Sequence, residues 1–214
     1  MRDKYSSLAA LKAALREKRD YQVRLLDRRS WATILAPHGG FIEAGTSALA
    51  RATAASNYNY FDFQGLRSTD AMDLHVTSTK FRDPLLTSLL KHSDTAVSFH
   101  CMGKAGERVI WLGGLNAELK AIFLQNLRAA GFSVNPDSPR YRGESMNNVV
   151  NLVHHKGVQL ELSQELMDDL FVGGAFDPDK SADTTALFLA LTRAVRLSLR
   201  QYRQKMRAPN CKQD

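Results

Sequence analysis

The chain carries 214 residues, 44% hydrophobic and 24% charged, with a formal charge of +7, a balance that excludes disordered and fibrous classes. A chain this long buries a sufficient apolar core without disulfides, so one domain over residues 1–214 is expected; Cys101 and Cys211 are its only cysteines. No apolar run reaches the roughly 18 residues of a membrane span, and Met1 to Tyr5 lead into no signal-like stretch, so a reducing cytoplasm is the expected location.

Ser6 or Ser7 can cap a first helix in which Leu8, Leu11 and Leu15 share a face while Lys12, Arg16 and Arg19 lie outside it. Tyr21, Val23 and Leu25 then alternate as a half-buried strand, and Trp31 to Ala36 reads as a fully buried one. Further strands are expected over 58–63, 74–77, 95–99, 109–112 and 158–162. Helices are expected over 46–55, 84–91 and 116–130, the last stopped by Gly131. Residues 135–145, with Pro136, Pro139 and Gly143, read as a long loop beside the site. A basic helix over about 183–206 closes the chain, with Leu187, Leu191, Ala194, Val195 and Leu199 on its apolar face. Strands alternating with helices predict an α/β fold: a single domain on a mixed, mostly parallel sheet with helices on both faces.

The positive charge is terminal. Residues 1–30 carry +5 and residues 191–214 carry +6, which leaves −4 for everything between them. The C-terminal arginine face admits a nucleic-acid reading, but a solvated helix surface accounts for it more simply, and no nucleic-acid partner is expected.

The segment Ala36-Pro-His38-Gly-Gly-Phe-Ile-Glu43 follows the best buried strand, and in an open parallel sheet ligands bind beyond the carboxyl ends of strands. Gly39 and Gly40 permit turns that bring His38 and Glu43 to one point as two candidate zinc ligands, although a plain turn histidine fits as well. His100 ends the buried run from Thr95 and can share the same sheet edge. A close pair followed by one distant histidine is the organisation of a catalytic zinc with three protein ligands and one open position. A hydrogen-bonded structural histidine is the alternative. In Gly157 to Ser163, strict alternation puts Gln159, Glu161 and Ser163 on one face. If that face looks into a metal cleft, Glu161 is placed as a general base, its pKa raised by burial; otherwise the face meets water.

Other residues read more plainly. His154 and His155 suggest an exposed loop, Gly113-Gly114 lacks the Lys and Ser/Thr of a phosphate loop, and Asn116 suits a helix cap. Cys101 reads as a small buried residue, and Ser47 and Ser163 lack the spaced partners of a serine hydrolase.

Taken together, several motifs in register resemble the poly-γ-glutamate hydrolase family, a group of bacterial and phage zinc hydrolases similar in fold to zinc carboxypeptidases. They are Asp3-Lys-Tyr5, Ala36 to Glu43 with Gly45-Thr-Ser47, Leu74-His-Val-Thr-Ser78 with Phe81 and Pro84, Ala96 to His100, Gly113 to Asn116 and Gly157 to Ser163. The resemblance spans about residues 3–170. It implies zinc on His38, Glu43 and His100, Glu161 as general base and acid, and hydrolysis of γ-glutamyl linkages in a polyanionic glutamate polymer or a related γ-linked substrate. It also implies release by cell lysis if the gene is carried by a phage. Two positions depart from the family pattern: Ala48 stands where an acidic residue is usual, and Leu152 follows Asn151 where an arginine is usual. The missing guanidinium leaves Arg140, Arg142, Asn148, Asn151 and His75 as candidate substrate contacts. The same departures admit a catalytically weak binding module of this fold. A monomer is the expected state.

Overall fold

The computed structural model describes residues 3–173 and 183–208, so Cys211, Lys212 and Asp214 of the basic terminus lie outside the described residues. Ser7 caps α1 (Leu8–Ala14), its hydroxyl accepting the Ala10 N–H at 3.1 Å. β1 (Tyr21–Leu26), β2 (Ala32–Gly40), α2 (Thr46–Ala54) and β3 (Asn59–Gly65) follow. Next come a short helical turn over Ala71–Leu74, α3 (Pro84–Lys91), β4 (Thr95–Cys101), β5 (Ile110–Gly113), α4 (Ala117–Ala129) and β6 (Val134–Asn135). The chain ends with a turn over Val149–Asn151, β7 (Val158–Leu162), α5 (Gln164–Asp169) and α6 (Ala186–Arg207).

These strands form one seven-stranded sheet in the order β1-β3-β2-β4-β7-β5-β6. The centre, β3-β2-β4-β7, is parallel, while β1 runs antiparallel to β3 and β5 antiparallel to β7. The parallel strands are buried on both faces, as an all-buried β2 requires, and period two splits that strand between two cores. Ile34 and Ala36 join Leu49, Phe123, Leu191 and Val195 from α2, α4 and α6. Leu35 joins Leu8, Leu11, Leu86 and Leu90 from α1 and α3 on the other face. The expected single α/β domain with helices on both faces is the one observed.

Three local expectations change. β2 continues through His38 to Gly40, so the histidine sits in the strand rather than in a loop after it, and the β2–β3 register shifts between Ala36 and Gly39. The apolar alternation of Leu74 and Val76 serves core packing and not a ladder: both are buried in the second core, and the stretch after the Ala71–Leu74 turn pairs with no strand. β6 and α5 were not anticipated; two residues leave no periodicity to read, and Ser163, expected on a strand face, instead caps α5 by accepting the Leu166 N–H.

Three of the six cations on α6 make contacts within the protein itself. Arg196 donates to the Thr53 carbonyl, Arg203 pairs with Asp94 at 2.7 Å while lying 4.9 Å from the Trp31 ring, and Lys205 pairs with Glu118.

Candidate metal centre and active site

β2, β4 and β7 end side by side, and each delivers a polar side chain at its carboxyl end. His100 and Glu161 are direct neighbours in the β4–β7 register. His38 reaches the same corner because the chain kinks at Gly39 and Gly40. A Cβ on Gly39 would lie 2.1 Å from an Asp62 carboxylate oxygen and 2.3 Å from the Ser47 hydroxyl, and Gly40 has φ +65°, so neither position accepts a side chain. The turn closes through the Glu43 N–H on the His38 carbonyl at 2.9 Å and the Thr46 hydroxyl on the Glu43 carbonyl at 2.7 Å. Beneath it, the buried Asp62 accepts from Ser47, Tyr60 and Gln64, and Ser47 Oγ accepts the Gly40 N–H. Burial pushes the Asp62 carboxyl up to about 6 against those hydrogen bonds.

Three of the four expected side chains converge on one point. His38 Nδ1 lies 2.7 Å from Glu43 Oε1, His100 Nδ1 lies 3.2 Å from His38 Nδ1, and His100 Nδ1 lies 3.4 Å from Glu43 Oε2. His38 Nε2 faces the Val76 carbonyl at 3.0 Å. A carbonyl only accepts, so His38 Nε2 carries a hydrogen there, and Nδ1 faces the Glu43 carboxylate and the His100 ring. His100 Nε2 is buried without a hydrogen-bond partner among the described residues. Two imidazoles and a carboxylate within about 3.4 Å of one another form a donor set compatible with a bound cation. Burial would raise the Glu43 carboxyl, but the positive character of His38 and His100 outweighs it and holds the group well below the usual carboxylate range.

Glu161 stands apart from this trio. It is 5% exposed, and burial, with the Glu43 charge adding to it, pushes its carboxyl up to about 7 against the pull of His100, His38 and the Gln159 amide. Gln159 was not singled out from the sequence as a site residue. Its amide donates to Glu161 Oε1 at 2.5 Å and to the Tyr141 carbonyl at 3.0 Å, and its oxygen accepts from Asn148 Nδ2 at 3.0 Å. The signal for it was the strand alternation that already placed it on the Glu161 face.

These groups line a cavity of about 730 Å³ whose wall includes His75, Thr77, Ser78, Tyr141, Ser145 and Asn148. His75 and Asn148, both expected near substrate, are therefore on the wall. Asn151 is not. It lies behind the wall, 1% exposed, donating to the Gly143 and Ser145 carbonyls and accepting from Leu115 N–H, so it braces the loop. Arg140 and Arg142 are also displaced from the expected position: both are exposed, Tyr141 between them faces the cavity, and Arg142 lines a separate hollow with Asp137 and Glu144. Tyr141 takes a left-handed backbone conformation with φ +53°, a local dihedral choice that leaves no periodic trace in the sequence. Among the described residues no Lys or Arg lines the main cavity.

Asp3 ties the first described residues to the cavity wall. Its Oδ1 accepts from His75 Nδ1 at 2.9 Å and its Oδ2 from the Thr77 N–H at 2.9 Å. Partial burial opposes ionisation there, and those two hydrogen bonds still hold the carboxyl below its ordinary value. Cys101 takes no part as a nucleophile: burial pushes its thiol up to about 12, and only its N–H contributes, donating to Glu43 Oε2 at 3.0 Å.

An α/β sheet whose strand ends gather two histidines and two carboxylates around one cavity defines a hydrolase-type site with a candidate metal centre. The chain belongs to the poly-gamma-glutamate hydrolase family, which matches residues 5–194. The solved structure of a bacteriophage poly-gamma-glutamate hydrolase superposes with a TM-score of 0.90 at 27% identity, covering 95% of this chain and 100% of that one. An apo, zinc-free YndL superposes with a TM-score of 0.85 at 30% identity, covering 94% of this chain and 99% of the other. The SPbeta prophage-derived protein YoqZ of Bacillus subtilis (strain 168) is 36% identical over 172 residues, which is 79% of this chain and 62% of YoqZ. No helix among the described residues is long and apolar enough to cross a membrane.

Proposed function

We propose that this protein is a zinc-dependent amidohydrolase of γ-glutamyl linkages, acting on poly-γ-glutamate or a related γ-linked substrate. The observation that carries the reading is the convergence of His38 Nδ1, His100 Nδ1 and both Glu43 oxygens, at 2.7–3.4 Å, beside the raised Glu161 carboxyl. His38, Glu43 and His100 hold the zinc. Bound there, the ion supplies Lewis acidity, which polarises an amide carbonyl and acidifies water.

Glu161 takes the proton of the attacking water and returns it to the leaving amine. Burial raises the Glu161 carboxyl toward the working range of a general base, which suits both transfers. Gln159 holds the Glu161 oxygen in place, and Asn148 with the Tyr141 carbonyl holds Gln159. Thr77, Ser78, Ser145 and Asn148 offer neutral polar groups to the substrate. The family and the phage hydrolase structure support the substrate class.

The test is a screen of zinc-loaded protein against γ-linked glutamate polymers, short γ-glutamyl peptides and their α-linked counterparts. Cleavage of γ-linked bonds alone, with zinc at about one per chain and lost in His38→Ala and His100→Ala, is the expected result. Equal zinc in wild type and both variants would remove the metal assignment, and zinc binding without turnover on any γ-linked substrate would leave a binding module.

A further inference from the structure

A chain of γ-linked glutamates carries a free carboxylate on every unit. The cavity that would receive it holds Glu43, Glu144 and Glu161 on its wall and, among the described residues, no Lys or Arg. Any cation that meets those carboxylates stands at the rim. Arg82 is at that place. It follows the wall residues Ser78 and Thr79 in sequence, and its Nη2 donates to the Asn147 carbonyl at 2.9 Å, one residue before the wall residue Asn148. The two wall segments adjoin there, since the Val149 N–H donates to the Ser78 carbonyl at 3.0 Å. Half-buried Arg82 meets two backbone carbonyls, Asn147 and Phe81, and no carboxylate among the described residues pairs with it. Asp83 beside it is taken by Lys12 and by the N–H groups of Leu85 and Leu86.

We propose that Arg82 is the rim contact for a substrate α-carboxylate outside the scissile bond, and so sets a preference for anionic γ-linked chains over neutral γ-glutamyl amides. The inference rests on the γ-glutamyl reading above and adds a specificity residue to it. A guanidinium presents its N–H donors in a planar fork, and the two carbonyls leave donors over for a carboxylate, which the fork accepts side-on. Burial alone pulls this guanidinium below its ordinary value, so a half-buried cation without a counter-charge gains from an anion that arrives. Arg140 and Arg142 lack that combination. Both are exposed, and Arg142 already shares its hollow with Asp137 and Glu144.

The test compares a γ-linked glutamate oligomer with the same oligomer whose α-carboxylates are amidated. Zinc-loaded wild type, Arg82→Gln, Arg82→Lys and Lys104→Gln are assayed on both; Lys104 is an exposed cation next to the wall residue Gly103. Glutamine keeps an N–H for the Asn147 carbonyl and removes the charge. Arg82→Gln is expected to raise KM for the charged oligomer about tenfold, the scale of a lost charged hydrogen bond, while kcat and the amidated oligomer change less than about twofold. The dependence of KM on salt should flatten with it, and Arg82→Lys should fall in between. Binding of both oligomers to Glu161→Gln protein, with and without Arg82→Gln, reads the contact without turnover. Unchanged KM and binding in Arg82→Gln would overturn the proposal. So would an equal loss on both oligomers, which a purely bracing role predicts, or a loss confined to Lys104→Gln. Charged oligomer bound through Arg82 but cleaved by no zinc-loaded wild type defeats the hydrolase reading and leaves the rim contact standing, so the two failures are distinct.

Discussion

The two sides of the cavity are built differently. One side is the corner where β2, β4 and β7 end, and its reactive groups are set by ladder register: His100 opposite Glu161, with His38 brought across by the Gly39–Gly40 kink. The other is the irregular stretch from Pro136 to Asn148, held by side-chain hydrogen bonds from Asn151, Asn148 and Gln159 rather than by a ladder. The candidate reactive groups thus sit on buried strands, while the opposite wall sits where backbone is braced one amide at a time.

The largest expected effect tests the strand side. Glu161→Gln should keep zinc at wild-type stoichiometry and lower kcat at least about a hundredfold, since the shape stays and the basic oxygen goes. Equal turnover would move the base off β7, and Glu144 on the loop side, which also lines the cavity, would be examined next.

The foundation under the kink has a pH signature. Asp62 has a folded-state value of about 6 against 3.8 in the unfolded chain. Between those values the folded state holds more protons than the unfolded one, so stability falls as pH rises from about 4 to about 6. The loss is on the order of 2–3 kcal/mol across that window. Asp62→Asn should flatten this part of the curve in urea unfolding at pH 4 and pH 7, and an unchanged slope would show that the buried carboxyl is not its source.

On the loop side, Asn151→Ala strips partners from the Gly143 and Ser145 carbonyls and should cost about 1–3 kcal/mol. The expected readout is a lower Tm and a raised KM with kcat less affected. A fall in kcat equal to that of Glu161→Gln would break the distinction between the two sides. The smallest effect is expected from Arg140→Ala and Arg142→Ala, whose side chains are absent from the cavity wall. Each should change KM for a γ-linked polymer less than about twofold at physiological salt, where exposed charges beyond about 8 Å are screened. A tenfold rise, confined to charged substrates, would show that the loop turns a guanidinium inward when substrate binds.

The elements that sequence periodicity identified are those whose pattern exceeds a few residues. α1 with its Ser7 cap, α3 behind Asp83, α4 behind Asn116 and the buried strands β2, β4 and β7 all lie close to the expected positions. His38, Glu43, His100 and Glu161 were legible because each is tied to a strand end, where topology confines a side chain to one edge of the sheet. The Leu74–Thr77 stretch was not, because alternation reports burial of every second residue and says nothing of whether a neighbouring backbone pairs with it.

The sequence by itself determined the class of fold, and local patterning pointed to the strand ends where His38, His100 and Glu161 gather, while the family resemblance implied their roles. Only the tertiary structure decided which second contacts hold them: Gln159 under Glu161, Asn148 under Gln159, Asp3 on His75, and Asn151 behind the wall rather than on it. It also turned Arg140 and Arg142 away and Tyr141 inward. The physical reason is that a hydrogen bond between residues 3 and 75 depends on where two distant backbones pass each other, and a loop side chain's direction depends on its local dihedrals, neither of which leaves a periodic trace in the chain.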